Sequence, residues 1–194
     1  TTHGAGSTTT SIYNPVTNTY STGPAMPNPL STGSIAFQIP NFGPRACQSV
    51  LTQGNNTGNA YYYNPRTNQV SSFTSPTPFF TGAHVIRYRS GTSTRFLLIP
   101  GNSTTTYIYR PDSDTFVNGP NLLISSGNGV LSFQPTSGPL SGKFVIANGG
   151  GGGNWRTFDP DAETIVAHGT SGLGLNADSS VALITSGAKT GQFF

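Results

Sequence analysis

Short runs in which apolar and polar residues alternate recur along the chain, bounded by glycine, proline and asparagine. Ser34-Ile35-Ala36-Phe37-Gln38-Ile39 is one such run. Ala83-His84-Val85-Ile86-Arg87-Tyr88, Gly129-Val130-Leu131-Ser132-Phe133-Gln134 and Ser180-Val181-Ala182-Leu183-Ile184-Thr185 repeat it. A period of two predicts half-buried strands, because successive side chains leave opposite faces of a pleated backbone. Second runs follow at 47–53, 96–100 and 143–148, each closed by a glycine: Gly54, Gly101 and Gly149. No helical period is present, and no stretch free of glycine and proline has room for a long helix. The expected fold class is all-β.

Third runs end at Tyr13-Asn14-Pro15, Tyr63-Asn64-Pro65, Tyr109-Arg110-Pro111 and Phe158-Asp159-Pro160. The aromatic anchors are 50, 46 and 49 residues apart, and the step from Phe158 through the C-terminus to Tyr13 is again 49. Fourth strands are expected seven residues after each anchor, at Tyr20, Val70, Phe116 and Ile165. Proline presets φ for the second position of a type I turn and ends the hydrogen-bond ladder. Thr17-Asn18, Thr67-Asn68 and Ser113-Asp114 complete that turn, and Ala162-Glu163 fits it more loosely. A repeat of this length, built from strands and turns, predicts a radial β-array of four-stranded units.

The fourth unit has its first strand at 180–185 and a turn at Gly187-Ala188-Lys189-Thr190-Gly191, and stops at Gln192-Phe193-Phe194. Gly191-Gln192-Phe193-Phe194-Thr1-Thr2-His3-Gly4 aligns with Gly142-Lys143-Phe144-Val145-Ile146-Ala147-Asn148-Gly149 without a gap. The N- and C-terminal strands are therefore expected to share one unit, closing a ring within the chain or linking neighbouring copies.

Composition narrows the class. Only 8% of the 194 residues are charged, with 25 Gly and 15 Pro, yet 12 Phe and 8 Tyr sit at regular places. Regular aromatics argue for a folded, turn-rich protein over a disordered one. The low charge points to a secreted, extracellular protein. The net charge of +3 comes from scattered basic residues, of which only Arg87 and Arg89 approach a cluster, so no nucleic-acid partner is expected. Cys47 is alone, which excludes an intrachain disulfide and a Cys-based metal site. It falls in a strand-like run and is expected to be a buried, inert thiol. No apolar run reaches membrane-spanning length, so no membrane span is expected, and with no signal peptide present an exported protein would be seen in its mature form or as a piece of it. Asn55-Asn56-Thr57 and Asn102-Ser103-Thr104 are glycosylation acceptors in predicted hairpin loops, which makes Asn55 and Asn102 candidate glycan sites.

Repeats of this length, with a glycine closing the second strand and aromatic-x-Pro followed by Thr-Asn at the third-to-fourth turn, resemble kelch-type β-propeller blades of the galactose oxidase/kelch-like superfamily. The resemblance covers the whole chain. It implies a single β-propeller domain over 1–194, with four kelch-like four-stranded blades anchored at Tyr13, Tyr63, Tyr109 and Phe158. The N- and C-terminal strands would share one blade. The family's paired glycine is kept at Gly149-Gly150, and its fourth-strand tryptophan is replaced by Tyr20, Val70, Phe116 and Ile165.

The same resemblance implies an enzymatic alternative, a fragment or divergent relative of the secreted radical copper oxidases related to galactose and glyoxal oxidase. Such a site takes two histidines, two tyrosines and a Cys–Tyr thioether. The chain has one Cys, three His and eight Tyr, but His3, His84 and His168 fall in different units without a paired spacing. Five of the six acids, Asp112, Asp114, Asp159, Asp161 and Glu163, lie at the third-to-fourth turns, where carboxylates serve as turn formers rather than as a converging glycosidase pair. The run at 148–154 lacks the Lys-Ser/Thr and the helix of a phosphate loop and reads as a hairpin tip. No catalytic residue, metal or cofactor is therefore expected.

Tyr61-Tyr62-Tyr63 and Tyr107-Ile108-Tyr109 alternate faces, so some of these rings point outward or pack between blades. Tyr61, Tyr107 and Trp155 are the candidate ligand-binding residues, because aromatic faces beside amides and hydroxyls suit sugar rings or protein surfaces. The expected function is a non-catalytic extracellular propeller with a structural, adhesive, carbohydrate-binding or protein-binding role, self-associating through its terminal strands.

Overall fold

The computed structural model describes residues 6–127, 129–149 and 153–170. The expected strands at 180–185 and across the termini lie outside the described residues. The described residues form strands and turns with no helix, and every strand pairing is antiparallel.

The chain divides into two compact units, one of Thr1–Thr81 with Pro111–Asp114, the other of Gly82–Arg110 with Thr115–Phe194. The first holds the hairpin β1 (Ser11–Asn14) and β2 (Thr19–Thr22), and a sheet of β3 (Ala36–Gln38), β4 (Ser49–Thr52), β5 (Thr57–Asn64) and β6 (Gln69–Phe79) in sequence order. The second holds two four-stranded sheets. One is β7 (His84–Ser90), β8 (Ser93–Ile99), β9 (Tyr107–Arg110) and β10 (Thr115–Asn118); the other is β11 (Val130–Phe133), β12 (Phe144–Asn148), β13 (Asn154–Asp159) and β14 (Thr164–Thr170). Each four-stranded sheet is a meander, as the order of alternating runs and turns demands.

The turn after each anchor is one structure repeated four times. The fifth residue past the anchor is left-handed each time: Asn18, Asn68, Asp114 and Glu163 have φ of 53°, 53°, 52° and 51°. Asparagine and aspartate tolerate this region because their short polar side chains bond locally; glutamate does so less readily. The residue before proline closes the turn from its other end. Asn14 Oδ1 accepts from the Val16 and Thr17 amides, Asn64 Oδ1 from Arg66, and Asp159 Oδ1 from Asp161 and Ala162. The glycine closing the second strand has a steric cause. At Gly54, φ is +75° and a side chain would run into the Thr32 carbonyl, while at Gly149 a Cβ would stand 2.8 Å from the Gly129 carbonyl oxygen.

Two expectations need correction, and one strand runs further than its anchor. Cys47 is not in a strand: it occupies a turn at φ +63°, half-exposed, with its amide donating to the Pro40 carbonyl, and β4 begins at Ser49. The first run of the 34–39 segment pairs only over Ala36–Gln38. β6 runs on through Pro76 and Pro78 to Phe79, which an outer strand tolerates because one side of its ladder needs no donors.

In the second unit the two sheets bury one shared core. Ile86, Tyr88, Leu97, Ile99 and Ile108 of the first sheet meet Ile146 and Phe158 of the other, with Leu122 between and Val117, Val130, Phe144 and Ile165 at the margin. Tyr88 meets Phe158 edge-to-face at 4.9 Å between ring centres. In the first unit Met26, Leu30 and Tyr61 form a buried cluster backed by Leu51 and Val70, and Ile39, Val50 and Phe79 are also buried. Beside it a hollow of about 630 Å³ separates the β1–β2 hairpin from the sheet, lined by residues that include Ile12, Tyr13, Met26, Phe37, Leu51 and Val70.

Candidate binding site

Trp155 is the second residue of β13, just past the glycine run, and a bulge decides what it faces. Asn154 pairs with Thr170 but Trp155 pairs with His168, which leaves Gly169 as the extra residue. A bulge re-aims side chains by inserting one unpaired residue. Here it brings indole and imidazole face to face, with centroids 4.1 Å apart and planes 12° from parallel. His168 Nε2 and Thr157 Oγ1 share a 2.9 Å hydrogen bond that fixes the imidazole. Such an aromatic pair is worth about 0.5–1.5 kcal/mol beyond its area.

Strand register places Leu131 and Ala147 in the Trp155–His168 row, and Phe133, Val145 and Val166 in the row of Thr157. This face is apolar with one hydroxyl and one imidazole; Val166 keeps 54% of its surface in solvent, whereas Ala147, Val145 and Thr157 are buried. Trp155 and His168 are half-buried. A flat, fixed, half-buried aromatic pair at the edge of an apolar face has the chemistry to stack on the C–H face of a sugar.

The other candidates land elsewhere. Tyr61 does not offer its ring to a ligand: it is 1% exposed, packs with Met26 and Leu30, and its hydroxyl accepts from Asn28 Nδ2 at 3.0 Å. Alternation turns Tyr62 to the opposite face, where it stacks on Phe73, lies under the Arg45 guanidinium and donates to Asp114. Tyr107 is half-buried, between Leu98 and Asn118 in the register of its sheet, apart from Trp155. Asn55 and Asn102 are exposed in left-handed turns, at φ 51° and 45°, directly after the strand-closing glycines.

Histidines and acids are already engaged. His84 Nε2 bonds Ser132 Oγ at 2.7 Å between β7 and β11, and burial pushes its pKa below the ordinary histidine value. His168 is on β14, and His3 lies outside the described residues. Among the described residues no three of His, Cys, Asp and Glu group as metal ligands would. Asp159 is the turn former expected: the Ala162 amide holds its pKa down, helped by Lys143 at 3.2 Å and by the Asp161 amide.

Asp114 and Glu163 do more than form turns. Asp114 pairs with Arg45 at 3.0 Å. Glu163 accepts from the Tyr88 hydroxyl at 3.0 Å and lies 3.4 Å from Arg95 and 4.0 Å from Arg110. Burial first, and then Glu163, raise the Tyr88 pKa. Arg95 and Arg110 sit side by side on β8 and β9, with their buried Nε–H groups unpartnered.

Sequence reasoning missed Arg156. Its side chain is fully buried and donates to the carbonyls of Leu122 and Ile124 and to Asn148 Oδ1, while Asn148 Nδ2 donates to Ser125. Burial lowers its pKa. One arginine thus holds the 122–125 segment against the sheet, and no short-range pattern announces it. No family model matches the chain and no curated protein is similar to it, so its function has to be argued from these residues.

Proposed function

We propose that the chain is an extracellular, non-catalytic module that binds carbohydrate through the Trp155–His168 platform on a kelch-like β-propeller. The observation that carries the reading is the bulge-set stack of Trp155 on His168, braced by Thr157. The propeller reading is supported by four identical turns, meandering four-stranded sheets and the run at 180–185, which repeats the first-strand pattern. On that reading β1 and β2 are the outer half of a fourth blade whose remaining strands come from residues 180–194. The extracellular assignment is supported by low charge and by the exposure of Asn55 and Asn102 in their acceptor triplets.

Trp155 is the only tryptophan of the chain, so intrinsic fluorescence reports this site alone. Titration with neutral mono- and oligosaccharides is expected to shift and saturate the emission, and Trp155→Phe to remove the binding seen by calorimetry. An emission spectrum unchanged by every sugar, with unchanged calorimetry, contradicts the reading. Supply of 180–194 by a neighbouring copy instead of the same chain would give oligomers that dissociate on dilution, which light scattering detects.

A further inference from the structure

A second hollow, of about 410 Å³, lies in the second unit and is lined by Arg87, Tyr88, Arg89, Gln134, Phe144 and Pro160. Arg87 and Arg89 leave the same face of β7, two residues and so about 7 Å apart. Both are exposed, and neither pairs with a carboxylate among the described residues. No acid among the described residues lines the hollow. Glu163 is committed to Tyr88, Arg95 and Arg110, and Asp159 to Lys143, while Asp161, next to Pro160, is exposed and forms no ion pair with a described residue. Gln134 donates to the Gly142 carbonyl and keeps its amide oxygen available. Two like charges held together without a counter-charge repel each other, and an arriving oxyanion relieves that repulsion while accepting forked N–H bonds. Phe144 and Pro160 supply an apolar wall for the carbon skeleton that carries the charge.

We propose that this hollow binds the carboxylate or sulfate group of an acidic saccharide, through Arg87 and Arg89. The sugar class rests on the carbohydrate reading above; the charge rests on the two arginines alone. The test uses the full chain in calorimetric titrations with dextran, dextran sulfate, polygalacturonate and polyglutamate. Dextran sulfate or polygalacturonate is expected to bind about tenfold or more tightly than dextran, with the better of the two naming the oxyanion. Arg87→Gln/Arg89→Gln is expected to abolish that preference, leave dextran binding unchanged, and leave the Trp155 emission of the free protein unchanged as a check on folding. Added salt should weaken only the charged probes.

Equal binding of charged and neutral polymers, or an unchanged preference in the double variant, overturns the proposal. Polyglutamate binding as tightly as the charged saccharides overturns the saccharide class. Loss of the Trp155 response to neutral sugars, with the arginine-dependent preference intact, refutes the platform reading while leaving the hollow an oxyanion site.

Discussion

The two units bury their sheets differently. In the second, two four-stranded sheets face each other and the space between is filled: Leu97 and Phe158 are fully buried, and the aromatic edge of Tyr88 meets Phe158. In the first, the described strands set a four-stranded sheet beside a two-stranded hairpin, and a 630 Å³ hollow stands next to the Met26, Leu30 and Tyr61 cluster. Both use the same repeat, with the same glycines and the same left-handed turn. Local chemistry therefore sets the meander in both units.

The comparison is most sharply broken at Arg156. Arg156→Ala strands the Leu122 and Ile124 carbonyls and the Asn148 amide, and is expected to cost about 3–5 kcal/mol, a large share of the stability of a domain this size. Urea unfolding followed by Trp155 emission measures it; a loss below about 1 kcal/mol would mean that the 122–125 segment is held by other contacts.

Next come matched leucines. Leu97→Ala, in the closed core, should cost about 3–4 kcal/mol, whereas Leu51→Ala, at the margin of the hollow, should cost about 1–2. Equal losses in denaturant midpoint would erase the difference between the units.

Glu163→Gln keeps the shape of the turn but removes the carboxylate between Arg95 and Arg110. With the three side chains 19–38% exposed, solvent screening limits the expected loss to about 1 kcal/mol. If stability rises instead, desolvation of the carboxylate was the larger cost.

The smallest effect is a pH slope. The folded pKa of His84 is depressed, so folding favours its neutral form. That contribution is fully present above the unfolded value of about 6.5 and is lost as pH falls from there towards the folded value. The difference in stability between wild type and His84→Gln should therefore shrink below pH 6.5, by less than one proton's worth of slope; a constant difference from pH 8 to pH 5 would contradict it.

Much of this architecture was legible in the sequence. Alternation and aromatic-x-Pro placed the described third and fourth strands, because both signals act within a few residues. Cys47 was misplaced because a left-handed turn residue inside an apolar run has no pattern of its own. The site was half legible. Trp155 stood out as the lone tryptophan, but its pairing with His168 depends on the bulge at Gly169, and Tyr61 was drawn inward by Met26 and Leu30. Glu163 and Arg156 were not legible as ties, since their partners lie 8 to 75 residues away and meet them only after folding.

The most direct test of the account concerns β1, which the propeller reading makes an interior strand of a fourth sheet completed by residues 180–194. Gly23 donates to Thr10, and the register of β1 with β2 then turns the Tyr13 amide away from β2. Native-state hydrogen exchange should find the Tyr13 amide protected to a degree comparable with amides of β9. Exchange of Tyr13 at the rate of an open hairpin, with β9 protected, would contradict the four-blade fold and leave the first unit a sheet with a hairpin beside it.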